Sequence, residues 1–395
     1  MDKRIWIAVF VCLLGQTAYV RLRMVCQLDG LAEGAGPVEV GVMMALVALL
    51  PTFLAIAVGR YVDANGCRKP IAAAALLFSA AIAFPAALPA SEFGLWPLYA
   101  GCSLLGIANV FISVVIQRFV GFISSPENKS NHFTMYSLAF SAGLFVAPVT
   151  CGLAIDTFGF FATFAYLFVF VALMAASLIL FSRTWPEAWP QGKARARQTS
   201  FSLLRIAPVR NCLVASTFNA MAWDLQNFMI PVYGTAVGLT ATEIGTVMGA
   251  FSAGTFAVRV FMPAIAKVLT QWRTIAAAFA VTAAAFFLFP LFKTLHPLVG
   301  VAFFLGLGLG AGLPNLLAIA DTSAPEGRLG EVLGLRTTFI NIFHIVLPVT
   351  FGIAGTAFGA AVVFYGVAGV MGGMSGFSLK CEKVEREHLR ARAGA

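Results

Sequence analysis

The sequence predicts an all-α membrane protein of twelve transmembrane helices, arranged as two pseudo-symmetric six-helix bundles, on three observations. Sixty per cent of the 395 residues are hydrophobic and 11% charged, where a soluble domain carries about 25% charged residues. The segment PVTCGLAIDTFG at 148–159 returns in register as PVTFGIAGTAFG at 348–359. Lys and Arg gather in alternate short connections between apolar runs, the bias that orients helices in a bilayer.

A hydrocarbon core takes roughly 20 consecutive apolar residues per crossing helix. Such runs lie at about 5–26, 38–58, 70–90, 96–119, 134–155, 160–182, 211–232, 243–263, 274–292, 297–319, 335–356 and 359–379. Six fall in an N-terminal bundle, residues 1–182, and six in a C-terminal bundle, 211–379. A soluble protein with buried helices would show a polar face on most of them, and none of the strong runs does. The run at 211–232 is the most polar. The first is too long for a cleavable signal peptide and lacks a convincing cleavage site.

The longest polar stretch, 183–210, reads as a cytoplasmic middle loop. Trp185 and Trp189 stand where an aromatic belt anchors a helix end, and Pro186 and Pro190 stop the helix. Phe201–Ile206 reads equally as a short basic amphipathic helix on the inner leaflet or as part of a plain tether. Residues 380–395, of mixed charge, read as a solvated cytoplasmic tail. With the N-terminus cytoplasmic, all of the 26 Lys and Arg except Arg21, Arg23 and Lys293 lie on the cytoplasmic side. That places both termini inside a plasma membrane, the inner one if the cell is bacterial. The net charge of +9 is therefore a topological signal. Spread over separate loops, it argues against a nucleic-acid partner.

The duplication extends beyond one segment. SPENK (125–129) recurs as APEGR (324–328) at an offset of 199; VEVGVMMA (38–45) as TEIGTVMG (242–249), and IAAA (71–74) at 275–278, both at 204. A period near half the chain is too long for a solenoid unit. Parallel halves in a hydrophobic chain point instead to a transporter whose site lies between them.

The loop GRYVDANGCRK (59–69) carries readable chemistry. Gly59 lets two helices approach, Gly66 turns the chain, and Asp63 accepts from a helix N-terminus or a basic partner. The loop resembles the G-x-L-x-D-R-x-G-R-[KR] signature of the major facilitator superfamily, with Gly59, Asp63, Gly66 and Arg68 matching and Tyr61, Ala64 and Cys67 departing. The resemblance implies a cytoplasmic latch on the outward-open state, weakened by two missing arginines. The second-half equivalent, PAIAKVLTQWR (263–273), is degenerate. In span five, GLFVAPVTCG (143–152) resembles the antiporter signature G-x-x-x-G-P-x-x-G-G at Gly143, Pro148 and Gly152. The copy with Pro348 and Gly352 suits ordinary small-residue helix packing as well. In pattern the chain is most similar to the twelve-helix drug/proton antiporters.

An ionisable side chain near the bilayer centre costs on the order of 2.5–3.5 kcal/mol unless it faces a wet cavity or a partner. Asp224, in span seven, is the only carboxylate deep in an apolar run. It reads as a proton-titrating group or as the structural partner of an arginine. Arg21 and Arg23 fall in the outer third of span one. Arg21 reads as Asp224's partner, as an anchor for an anionic substrate, or as a snorkelling side chain; Arg23 reads as snorkelling. His344, mid-span in span eleven, relays a proton or packs through a hydrogen bond. Gln16, Tyr19, Asn109, Asn219, Gln226, Asn227, Asn315 and Asn341 are candidates to line a substrate cavity or to bond between helices. Arg259, near the inner end of span eight, suits a lipid headgroup.

The seven cysteines are scattered without a CxxC pair and read as small core residues, not a metal site or disulfide frame. There is no GxxxxGK[ST], HExxH or GxSxG, so neither an ATP-driven pump nor an enzyme is expected, and no cofactor or metal. GLGLGAG (306–312) sits in an apolar span without βαβ context and reads as close helix packing. The expectation is a monomeric secondary transporter driven by an ion gradient, the proton first. It exports a small organic compound, or alternatively takes up a small organic anion. A non-transporting sensor or membrane enzyme is the remote alternative.

Overall fold

The structure is a computed structural model and describes residues 3–124, 129–181, 184–186, 200–323 and 329–393. Helices α1 (Lys3–Ala32), α2 (Pro37–Asn65), α3 (Arg68–Ala87), the short α4 (Ala90–Phe93), α5 (Trp96–Ile123) and α6 (Lys129–Leu180) make up the first half. Helices α7 (Ala207–Ala236), α8 (Ala241–Val268), α9 (Gln271–Leu288), α10 (Leu295–Ser323), α11 (Leu329–Phe358) and α12 (Ala360–Ala393) follow. Among the described residues, ten helices are long and apolar enough to cross a membrane. The 52-residue α6 counts once among them although its backbone breaks at Gly159, and the 30-residue α7 is too polar to count. With both arms of α6 and with α7, twelve segments reach spanning length.

The outer faces stay apolar. Leu76, Phe161 and Ile179 are 72, 70 and 78% exposed, tolerable because lipid takes the place of water there.

The chain divides into two compact units, residues 1–193 with 234–249, and 194–233 with 250–395. In the first, α1 packs along α6 while α5 packs on α2 and α3. A Cβ at Gly106 would overlap the Val47 carbonyl, so α2 and α5 touch backbone to backbone. In the second, α9 packs on α10 and α12, and a Cβ at Gly306 would overlap the Phe251 carbonyl. Val47 and Phe251, and Gly106 and Gly306, are related by nearly the sequence period. The glycines of 306–312 do pack closely: Gly308 on the Ala278 carbonyl, Gly310 on Thr255 and Gly312 on Asn219.

The repeat is also written in the turns. After α1, Ala35 N–H donates to Gly30 O (2.8 Å), with Gly34 at φ 86°. After α7, Leu239 N–H donates to Gly234 O (2.9 Å), with Gly238 at φ 81°. Both are Schellman caps, in which a left-handed residue lets two amides reach back to the last carbonyls. Gly159 (φ 78°), between the arms of α6, and Gly359 (φ 85°), between α11 and α12, form a second such pair.

Three expectations change in the connections. Trp185 is not an interfacial belt residue: it is 2% exposed, its ring centroid 4.8 Å from that of Phe119 at a tilt of 50°, and it donates to Ser177 O. The next residue, Pro186, accepts from Cys67 N–H at 2.8 Å, which tucks the start of the middle loop under the α2–α3 turn. Ser200–Arg205 is a single 3₁₀ turn with Leu203 fully buried, neither an amphipathic surface helix nor a plain tether. Trp189 and Pro190 lie outside the described residues. Helix α12 runs on through the tail segment to Ala393.

Candidate functional site

Asp224 stands about 26 Å along the roughly 45 Å of α7, and His344 near the middle of α11, taking about 1.5 Å per residue. The second unit brings them together: His344 Nδ1 and Asp224 Oδ2 are 2.5 Å apart. The Asp224 side chain is 10% exposed, while the imidazole side chain is 32% exposed. A short carboxylate–imidazole contact with one partner shielded and the other reachable can take up and release a proton without stranding a bare charge. Asp224 thus pairs with a histidine, one of the alternatives the sequence did not raise. Around it, α7 carries the buried amides Asn219 and Gln226, whose Asn219 Oδ1 and Gln226 Oε1 meet no donor.

Arg21 lies in the first unit, about 27 Å along α1 and so close to mid-span. It is 3% exposed and does not snorkel. Its Nη1 donates to the Tyr166 hydroxyl (3.2 Å) and its Nη2 to Thr150 Oγ1. The guanidinium also lies 4.5 Å from the Phe170 ring centroid and 5.3 Å from that of Tyr166. Its Nε is buried without a partner. Hydroxyls and π-faces solvate such a cation but do not neutralise it. Arg23, expected to snorkel, is half-buried and turns its Nε–H toward the Met44 sulfur (2.9 Å).

Gln16 and Asn109 meet at a small cavity of about 10 Å³, shared with Cys12, Ser113 and Tyr136. That is room for about one water. Asn109 Oδ1 is buried there with no protein donor, and Gln117 donates to the Tyr136 hydroxyl (3.2 Å). Gly143 lets α6 press on this wall, since a Cβ would crowd the Gln16 side chain.

The remaining candidates separate. Asn227 donates to Trp223 O in its own helix, and Asn315 to Ala311 O in its own helix and to the Met262 sulfur of α8 (3.5 Å). Tyr19 and Asn341 are half-buried. In the loop 59–69, Gly66 turns the chain at φ 65°. Among the described residues a Cβ at Gly59 would meet nothing within 4 Å. The side chain of Asp63 lies outside the described set, and Arg68 is half-buried. Gly152 and Pro148 do pack tightly: a Cβ at Gly152 would overlap the Ala241 carbonyl, and one at Gly245 the Pro148 carbonyl. Pro348 and Gly352 are buried in α11.

Sequence reading missed Thr150 and Tyr166, lone hydroxyls in apolar runs, and Asp156. The Asp156 carboxylate accepts from Ala241 N–H (3.2 Å) and Thr242 N–H (2.7 Å), capping α8 from another helix. Its position where one apolar run ends and another begins was the available signal.

A sequence model of the Major Facilitator Superfamily matches residues 5–348 and 212–393. The class C tetracycline resistance protein of Escherichia coli is 34% identical over 113 residues, 29% of this chain and 27% of that protein, so the match spans about a quarter of the relative's length. A peptide transporter POT, solved in complex with sulfate, superposes with a TM-score of 0.79 at 14% identity, covering 97% of this chain and 95% of that one. A bacterial homologue of the human lysosomal transporter Spinster, inward-facing and unoccupied, gives 0.69 at 12% identity over 96% of each chain. These likenesses to solved structures speak to the fold.

Proposed function

Because the chain belongs to the Major Facilitator Superfamily, and is a multi-pass membrane transporter rather than an enzyme, we propose that it works by alternating access as a proton-coupled exporter of a small organic compound. The observation that carries the coupling is the Asp224–His344 contact at mid-span. Proton uptake by this pair either neutralises the carboxylate or turns the imidazole into an imidazolium that binds the carboxylate as an ion pair. Either change alters how α7 and α11 hold each other. The partial likeness to a tetracycline resistance protein supports the outward direction. The matched loop residues Gly59, Asp63, Gly66 and Arg68 act as the cytoplasmic latch, and the charge placement supports a plasma-membrane protein with both termini cytoplasmic.

Gln16 and Asn109 in the first unit, and separately Asn219 and Gln226 in the second, are the substrate-binding candidates of this reading: Asn109, Asn219 and Gln226 hold buried acceptor oxygens that a substrate N–H or O–H, or a bound water, satisfies. A second reading, proton-coupled uptake of a small organic anion, is favoured by Arg21 alone, a near-midspan cation solvated only by hydroxyls and rings among its described contacts.

The test is transport into everted vesicles or proteoliposomes with an imposed pH gradient, starting with tetracycline and a panel of metabolites and drugs. Asp224→Asn is expected to abolish gradient-driven flux while retaining substrate exchange at equal pH. Gradient-driven flux that survives the substitution removes Asp224 from the coupling.

A further inference from the structure

Between the two arms of α6 lies a cavity of about 610 Å³, within the roughly 300–1,000 Å³ typical of small-molecule sites. Leu153, Ala154, Phe158 and Ala162 give it an apolar wall. Its polar lining includes Thr150 and Tyr166, the two hydroxyls that receive the Arg21 guanidinium. Thr150 Oγ–H donates to Val146 O (2.6 Å) in its own helix, so that hydroxyl is committed. Tyr166 accepts from Arg21 and keeps its own proton to donate. Behind it stands a cation 3% exposed, with Nε unpartnered.

We propose that this groove binds an amphiphilic organic monoanion, its apolar body between the arms of α6 and its carboxylate on Tyr166, in the field of Arg21. The inference rests on the transporter reading and names a substrate class for it. The depth of the polar end selects the occupant. Thr150 and Tyr166 lie nine and seven residues from the Gly159 break, hence about 11–14 Å below it along the helix axes. A phospholipid keeps its headgroup at the interface and runs its chains inward, the reverse of this polarity. A mobile single-chain or compact carboxylate enters head first, and the buried charge offsets the cost of bringing its anion to that depth.

The experiment is direct binding of dodecanoate to the full-length protein in phosphatidylcholine nanodiscs, with dodecanol as the uncharged control. Dodecanoate is expected to bind about tenfold more tightly than dodecanol, and Arg21→Gln to remove that preference, as expected for one charge-assisted interaction. Tyr166→Phe, which leaves the cation in place, is expected to weaken dodecanoate severalfold. Leu153→Trp, at a position 52% exposed and so tolerant of bulk, is expected to block both compounds by filling the groove. Equal affinity for dodecanoate and dodecanol, or binding indifferent to Leu153→Trp, overturns the proposal. So does displacement of dodecanoate by 10% phosphatidylglycerol in the disc, which makes the occupant a lipid. None of these readouts involves a proton gradient. The groove and the coupling pair therefore fail separately.

Discussion

Asp224 and His344 meet within hydrogen-bonding distance although they are 120 residues apart in sequence. The sequence marked both as unusual and did not join them, because helices that are apolar on every side give no signal of which face turns toward which neighbour. Arg21 shows the same limit from the other direction. The sequence set it in the outer third of its span, whereas it lies near the middle of α1, and its partners, Thr150 and Tyr166, are single hydroxyls inside apolar runs. His344→Gln keeps a hydrogen-bonding side chain beside Asp224 and loses the titrating group. The pH dependence of transport is therefore expected to flatten while the purified protein keeps its thermal midpoint within a few degrees. A collapse of the midpoint would make the histidine structural. Trp185 carries a stability prediction. Truncation of a fully buried large aromatic side chain costs about 3–5 kcal/mol, so Trp185→Ala is expected to lower the melting temperature sharply, where an interfacial tryptophan would have moved it little.

Among the helices, the duplication was the most legible feature, and the packing explains why. Gly106 over Val47 and Gly306 over Phe251 place bare backbone against bare backbone at matching points of the two copies. No other residue leaves that space, so Gly106→Leu and Gly306→Leu are each expected to abolish the folded, monodisperse protein by size-exclusion chromatography, whereas Gly366→Leu, facing open space, should not. Gly159 and Gly359 hold left-handed φ values that cost an L-residue roughly 1–2 kcal/mol. Gly159→Ala is expected to cost about that much, and Gly366→Ala nothing of the kind, in parallel thermal melts. The boundaries that sequence misjudged lie in the middle loop, where Trp185 and the 3₁₀ turn at Ser200–Arg205 answer to tertiary burial rather than to local pattern. Asp156 belongs here too. Removing a cap costs about 0.5–2 kcal/mol, so Asp156→Ala is expected to loosen the start of α8, read as faster amide exchange at Ala241 and Thr242.

For the molecule as a whole, the fold followed from composition, charge placement and repeat, because the bilayer restricts spanning backbone to so few forms, while the family was legible only in the 59–69 loop signature. Sidedness is open to a direct check. All seven cysteines are buried, so a reporter introduced by Ala64→Cys, at an exposed position in the 59–69 loop, is the site expected to react. A membrane-impermeant maleimide should label it in everted vesicles and spare it in intact cells; labelling of intact cells would invert the topology.

The Schellman hairpins after α1 and α7 have a consequence for ancestry. Each sets its geometry with bonds confined to half a dozen neighbouring residues, Gly30 to Ala35 in one and Gly234 to Leu239 in the other. A bend that depends so little on distant sequence is portable. Transplanting 31–39 onto 235–243 should therefore yield a viable chimaera, short of one Asp156 bond because Pro37 brings no N–H to the place of Ala241. Recombination between the copies would then pass unpunished at this joint, a natural seam for gene conversion to keep the two hairpins alike.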